Sequence, residues 1–157
     1  MKSTTTILSS LLLALVSASP IARAPSQIDV TGFTAQTEPN GDGASISFTV
    51  SIPSVSIEGT SCAYSDATSL GRLPDVPLTP CASSAALRFQ FRQDPAQYPG
   101  AGEGRYRLVV VYAPGEAGVP GVAGYHEWDP SDFVASGGGG SEDLVYEGVP
   151  DFTLTPA

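Results

Sequence analysis

The chain has 157 residues and a formal net charge of −9, because 16 Asp and Glu face only seven Lys and Arg. A chain with this negative charge is repelled by phosphate backbones and by anionic lipid surfaces. Neither a nucleic-acid partner nor a membrane partner is therefore expected. The length suits one domain with a real core, and it is too short for two comfortable ones.

The first 18 residues predict a secretory signal peptide. Lys2 supplies a short positive region, and Ile7 to Val16 is an apolar stretch too short to span a bilayer. Val16-Ser17-Ala18 fits the small-residue rule for signal cleavage, so we expect a cut after Ala18. An N-terminal anchor helix is the alternative. The chain is therefore predicted to be secreted and extracellular.

Cleavage at that point leaves about 139 residues with six Arg against 16 acidic residues, a net charge of −10. Residues 19–26 are polar and contain proline, which predicts a mobile N-terminal lead. Residues 27–157 are then the β-domain.

The first predicted strand runs from Gln27 to Ala35. Ile28 and Val30 share one face, Gly32 interrupts, and Phe33 and Ala35 continue in the opposite phase. A glycine at such a phase switch predicts a β-bulge.

The strongest pattern in the chain is the strand from Ala44 to Ile52, where apolar and hydroxyl side chains alternate without exception. Residues 39–43 read Pro-Asn-Gly-Asp-Gly, which predicts a hairpin turn just before it. Pro53 is expected to stop the strand or to move it to an edge.

The stretch from Glu58 to Ser84 contains several glycines and prolines and is predicted to be an irregular loop. Cys62 and Cys81 lie near its two ends. In an exported chain such a pair predicts a disulfide, which we expect to staple the loop rather than the core. Two free thiols or a covalent dimer are the alternatives, and with both cysteines paired no covalent dimer is expected.

The second half of the chain predicts further short strands. They cover Leu87–Arg92, Arg105–Tyr112, Val122–Trp128, 144–147 and 151–154, with a single helical turn at 129–132. Arg105–Tyr112 is apolar on both faces, which predicts a central or covered strand. The fold class is therefore all-β: a single-domain antiparallel β-sandwich or barrel with long loops and at most one short helical turn. The predicted contiguous core contains Phe48, Val50, Phe89, Phe91, Leu108 and Val110.

His126 is the only histidine, and acidic residues follow it at Glu127 and Asp129. It is a candidate general acid or base, although an exposed strand histidine with acidic neighbours explains the same pattern. Glu38-x-Asn40-x-Asp42 resembles half of a calcium loop but is better explained as a turn. We therefore predict no catalytic residue, no metal site and no cofactor.

The predicted binding residues are Tyr125, His126 and Trp128, which lie between two loops rich in proline and glycine. Rings that cap the end of the core are the alternative. Because acidic residues surround the segment, anionic ligands are expected to be excluded, which leaves a neutral glycan or a basic patch on an extracellular protein.

The order of these features resembles the Alternaria major-allergen-like family of small secreted fungal proteins. The resemblance covers Ile28 to Tyr112 and includes Val30-Thr31-Gly32-Phe33, the strand at residues 46–50, the two cysteines and residues 87–91. Cys62 and Cys81 would match that family's first disulfide, whereas the family's second, later pair has no counterpart here.

The resemblance implies a compact antiparallel β-barrel or sandwich, no established catalytic site, and a role as an elicitor, allergen or effector. We therefore expect a secreted non-enzymatic interaction protein. The alternatives are a carbohydrate-binding module that uses Tyr125 and Trp128, and a small carboxylate-dependent hydrolase near His126.

Overall fold

A computed structural model describes residues 27–38, 43–68, 71–82, 84–94, 104–117, 119, 121–136 and 143–157. The predicted signal peptide (1–18), the predicted lead (19–26) and most of the predicted hairpin turn (39–42) lie outside the described residues. Within the described part of the chain, no helix has the length and apolar character that a membrane crossing requires.

The described residues form eleven strands and two short 3-10 turns, at Pro53–Val55 and Pro130–Asp132. In chain order the strands are β1 (Asp29–Thr37), β2 (Ala44–Ile52), β3 (Ile57–Asp66), β4 (Val76–Cys81), β5 (Ser84–Gln93), β6 (Tyr106–Tyr112), β7 (Val122–Trp128), β8 (Phe133–Ser136), β9 (Asp143–Tyr146), β10 (Phe152–Thr153) and β11 (Thr155–Pro156).

These strands build two antiparallel sheets that pack face to face. The first sheet has the order β3-β2-β1-β9-β8, with β10 also beside β1, and the second has the order β11-β7-β6-β5-β4. The predicted all-β fold is confirmed, and of its two alternatives the structure is the sandwich rather than a closed barrel.

The predicted bulge in β1 is confirmed at Gly32. The pairing of β1 with β2 shifts register between Thr31 and Thr34. Gly32 has a φ of +63°, a backbone conformation that glycine adopts without strain and that residues with a side chain rarely adopt. The extra residue changes the phase of the strand, so that Val30 and Phe33 both point into the core. Phe33 thereby reaches the aromatic residues at the end of the sandwich.

The core lies between the two sheets. All six predicted core residues have at most 3% of their surface exposed and belong to one cluster. β2 contributes its apolar face through Ile46, Phe48, Val50 and Ile52, as its alternation predicts.

The prediction of an irregular loop from Glu58 to Ser84 is wrong, because this stretch contains β3 and β4. The prolines in β4, Pro77 and Pro80, are tolerated since β4 is the last strand of its sheet. β3 is also an edge strand, and its residues from 58 to 61 are polar or glycine, so its alternation is weak in the sequence.

The Cys62–Cys81 disulfide is confirmed, but not as a staple of a loop. Cys62 lies in β3 and Cys81 in β4, and both are buried in the core cluster. Since these strands are edges of different sheets, the disulfide ties the two sheets together along one side of the sandwich. A backbone hydrogen bond from Ala82 N to Ser61 O (3.2 Å) lies beside it.

The predicted helical turn is confirmed as the 3-10 turn Pro130–Asp132. Asp129 precedes it with a reciprocal capping arrangement, in which the Asp132 carboxylate accepts from the Asp129 N–H at 3.1 Å. This turn carries the chain from β7 in the second sheet to β8 in the first.

Candidate functional site: the outer face of the second sheet

The three predicted binding residues lie on one strand, β7, but on opposite faces of it. Successive side chains of a strand point to opposite sides of the sheet. Trp128 and His126 point inward, since His126 lies opposite the buried Leu108 of β6. Tyr125 points outward, opposite Val109. The prediction that one surface holds all three residues is therefore wrong.

Trp128 is a core residue with 4% of its surface exposed. Its ring stacks on Phe33 at 4.6 Å between centroids, and its indole N–H donates to the Tyr146 hydroxyl at 3.1 Å. That hydroxyl donates in turn to the carbonyl of Val149 at 2.9 Å. A buried indole with a satisfied N–H is a structural feature, so of the two alternatives for Trp128 the structure has the core ring and not the exposed anchor.

His126 is half-buried, and its ring lies 4.3 Å from Phe152 and 4.6 Å from Trp128 between centroids. Burial lowers the pKa of the imidazole below its usual range, and the carboxylates of Asp132 and Glu127 oppose this shift. No hydrogen bond or ion pair to this imidazole is found among the described residues, so no carboxylate orients it as a general base would require.

Tyr125 instead belongs to a set of side chains on the outer face of the second sheet. Cross-strand register places them in three rows: Arg92, Arg107 and Glu127; Gln90, Val109 and Tyr125; Arg88, Val111 and Ala123. We call this set the tyrosine–arginine face. The row that contains Tyr125 continues to Thr155 of β11.

The centre of the tyrosine–arginine face is apolar. Val109 and Val111 lie on the central strand β6 and are half-buried, beside Tyr125 and Ala123 of β7. The outward face of an antiparallel sheet is ordinarily polar where it meets water. Two neighbouring valines and a tyrosine in that position are therefore the unusual feature of this sheet.

One end of the face is covered by a network of arginines and carboxylates. Arg92 Nε lies 2.7 Å from Asp94 Oδ1, and Arg107 binds both Asp94 and Glu127. Arg105 Nε lies 3.2 Å from Asp129 Oδ1. The hydrogen bond to Glu127 is the main cause that raises the pKa of Arg107 above its usual range.

This network corrects the expected electrostatics of the segment. The acidic residues next to Tyr125 in sequence are Glu127 and Asp129, and both are paired with arginines. The Arg107 guanidinium carbon also lies 5.7 Å from the centre of the Tyr125 ring, within cation–π range. The carboxylates are therefore neutralised, and the stated reason for excluding an anionic group does not hold.

The opposite end of the face carries Arg88, which is exposed. Its Nε donates to the carbonyl of Ala85 at 3.3 Å, and no carboxylate pairs with it in the described part of the chain. Arg88 lies beside Val111 in register. The face therefore places a cation beside its apolar centre.

Four residues of the face were not among the predicted site residues: Arg88, Arg107, Val109 and Val111. The signal for the valines was present, because the strand from Arg105 to Tyr112 is apolar on both faces. The pairing of Arg107 with Glu127 joins residues 20 positions apart and depends on the register of β6 and β7.

The outer face of the first sheet has a different composition. Small hydroxyl side chains dominate the part of it across β1, β2 and β3, which we call the hydroxyl face. Its rows are Thr31, Thr49 and Ser61; Thr34, Ser47 and Ala63; Gln36, Ser45 and Ser65. Beyond β1, the row of Gln36 continues to Val145 of β9 and to the exposed Val134 of β8. The hydroxyls of Thr34 and Ser47 hydrogen-bond to each other at 2.8 Å.

Among the described residues, no group of three or more His, Cys, Asp and Glu side chains is arranged to hold a metal ion. No protein-family model matches the chain, and no curated protein matches its sequence. The resemblance to the Alternaria major-allergen-like family therefore stays a prediction.

Proposed function

We propose that this protein is a secreted, non-enzymatic binding domain that docks an extracellular protein on its tyrosine–arginine face. The observation that carries the proposal is the outward orientation of Val109 and Val111, in line with Tyr125 and next to Arg88. An apolar centre with a charged rim is the usual anatomy of a protein interface, in which Tyr and Arg are enriched.

The partner is expected to present an apolar patch with a carboxylate opposite Arg88. Four of the five described arginines lie on or beside this face, namely 88, 92, 105 and 107, although the chain as a whole has a net charge of −9. The rest of the surface repels an acidic partner, so charge complementarity directs such a partner to this face.

The glycan alternative is less well supported by the geometry. Stacking on a sugar needs an exposed ring, and Trp128 is buried while the Tyr125 ring already has a guanidinium beside it. The hydrolase alternative needs a pair of available carboxylates, and those closest to His126 in sequence, Glu127 and Asp129, are paired with arginines.

The proposal is tested by capture of extracellular proteins on the immobilised mature protein, with competition by the soluble form. We expect Arg88→Glu to weaken the competed binding at least tenfold, or by about 1.4 kcal/mol, since the reversal places two like charges opposite each other where the parent pairs Arg88 with a carboxylate. Val111→Ser should act in the same direction. Arg72→Glu, the same charge reversal outside the face, is the matched control and should bind like the parent.

The stability of the variants and the binding that they retain both have to be measured. The unfolding midpoints of all variants should stay close to that of the parent, because the three side chains are not in the core. Binding that Arg88→Glu and Val111→Ser leave intact would contradict the proposal, as would the absence of any captured protein that soluble parent displaces.

A further inference from the structure

The last residues of the chain hold the two sheets together. β10 pairs with β1, and β11, one residue later, pairs with β7, so the chain changes sheets at Leu154. The Leu154 N–H donates to Ile28 O at 2.9 Å, and the Ala157 N–H donates to Ala123 O at 3.0 Å. We call residues 152–157 the C-terminal clasp. With only two paired residues on each sheet, it is a unit that can open locally.

The clasp is seated on β7 by close side-chain packing. Leu154 is 3% exposed and lies over Gly124, where a Cβ would come 2.8 Å from the Leu154 Cβ. Phe152 packs against the rings of Phe33, His126 and Trp128, and the closest of these is His126 at 4.3 Å. A titratable imidazole therefore lies in direct contact with the clasp.

The surroundings of His126 favour its neutral form. β10 presents Phe152 to it, and β6 presents Leu108 beside it, and neither can compensate a charge. The charged groups that act on the ring are Asp132 of the 3-10 turn and Glu127, whose side chain is on the other face of β7 and binds Arg107. Burial outweighs both and lowers the pKa of His126.

Other carboxylates touch the clasp region by hydrogen bonds. Asp29 accepts from the Thr153 hydroxyl at 2.7 Å, and Asp151 accepts from the Gly32 N–H at 2.8 Å. His126 is the only histidine of the chain, and the range from pH 7.5 to pH 5.5 brackets the pH at which a free histidine titrates.

We propose that the C-terminal clasp is a pH-sensitive latch, which protonation of His126 releases from β1 and β7 while the rest of the sandwich stays folded. In the open state the ring is solvated, and its pKa is that of a free histidine, about 6.5. In the clasped state its pKa is lower. The clasp is therefore fully stable above pH 6.5 and weakens as the pH falls below it, by up to tenfold in opening constant per pH unit.

This latch does not depend on the proposed partner, but it adjoins the tyrosine–arginine face, since Thr155 lies opposite Tyr125. Opening would free the backbone edge of β7, which could then pair with another strand.

Amide hydrogen exchange of Leu154 and Ala157 measures the opening directly, because their N–H groups bond across to Ile28 and Ala123. After correction for intrinsic exchange, the opening constant should rise between pH 7.5 and pH 5.5 by up to tenfold for each unit below pH 6.5. His126→Phe keeps an aromatic ring without a proton site and should show no such rise. Amides of β2 should not respond in either protein.

The latch would be ruled out if Leu154 and Ala157 opened equally at both pH values, or if His126→Phe showed the same rise as the parent. Amides of β2 that open together with the clasp would also rule it out, because unfolding would then be global. A second measurement needs no variant: NMR titration of His126 in the parent protein should give a midpoint below 6.5, and a midpoint at or above 6.5 would contradict the proposal.

Discussion

The two outer faces of the sandwich are built on the same kind of antiparallel sheet, yet they differ in chemistry. Ser and Thr occupy most positions of the hydroxyl face across β1, β2 and β3, where Ala63 is the one apolar member. Valines appear on this side of the sheet only beyond β1, at Val145 and Val134. The tyrosine–arginine face carries two valines, a tyrosine and three arginines. The inner faces are apolar in both sheets because they share one core. The difference outside the core is therefore not required by folding.

Hydroxyl side chains are what a solvent-facing sheet surface needs, since they suit the strand and stay hydrated. Apolar surface stays in contact with water at Val109, Val111 and Tyr125, and such surface contributes nothing to the hydrophobic stabilisation of the fold. The apolar residues on the outer face of the second sheet therefore call for an explanation outside the fold, and a docked protein supplies it.

The largest effect is expected where one strand serves both the core and the face. Trp128→Ala should lower the free energy of unfolding by about 3 to 5 kcal/mol, because it empties a buried site and leaves the Tyr146 hydroxyl without its donor. Tyr125→Ala, three residues away on the outer face, should cost about 1 kcal/mol or less. Denaturant unfolding of both variants measures the difference, and similar losses would show that the inner and outer assignments are wrong.

A smaller effect is expected at the edge where the two sheets are cross-linked. Replacing both Cys62 and Cys81 by alanine should lower the free energy of unfolding by about 3 kcal/mol, since the disulfide closes a loop of roughly 20 residues in the unfolded chain. Chemical denaturation of the oxidised parent against the double variant provides the measurement. A loss below about 1 kcal/mol would mean that the sheets do not need this link.

The smallest effect separates the two outer faces from each other. Arg107→Met should cost about 0.5 to 1 kcal/mol at low ionic strength, because it removes the cation between Asp94 and Glu127, and the cost should shrink as salt is added. Thr49→Val on the hydroxyl face is the control and should show no salt dependence. Unfolding curves of both variants at two ionic strengths provide the measurement. If salt changed the destabilisation of the two variants equally, the ion pairs of Arg107 would not distinguish the two faces.

Local pattern in the sequence was sufficient for much of the fold. The alternation of β2 predicts its buried face, and Gly32 predicts the bulge that turns Phe33 inward. By contrast, β4 was not predicted, because it contains Pro77 and Pro80. A proline is compatible with a strand only at the edge of a sheet, and the edge position of β4 is known only from the assembled sheet. The same limit applies to the disulfide: its cysteines were identified, but the two sheets that it joins were not.

The candidate site was predicted less well, for a related reason. The segment 125–128 was chosen for its residue types, although the period of two along a strand already implied that Tyr125 could not share a face with His126 and Trp128. The partners of Tyr125 come from other strands. Arg107 and Val109 reach it only through the register of β6 and β7, which a single sequence does not specify.

The central claim is that partners dock on the tyrosine–arginine face and not on the hydroxyl face. Site-specific photo-crosslinking tests it most directly, with a photoreactive phenylalanine derivative placed at Tyr125 in one protein and at Ser47 of the hydroxyl face in another. Exposed to extracellular proteins, the Tyr125 derivative should form a discrete adduct that Arg88→Glu abolishes, while the Ser47 derivative should form none. Adducts of equal yield from both positions, or an adduct from Ser47 alone, would contradict the account.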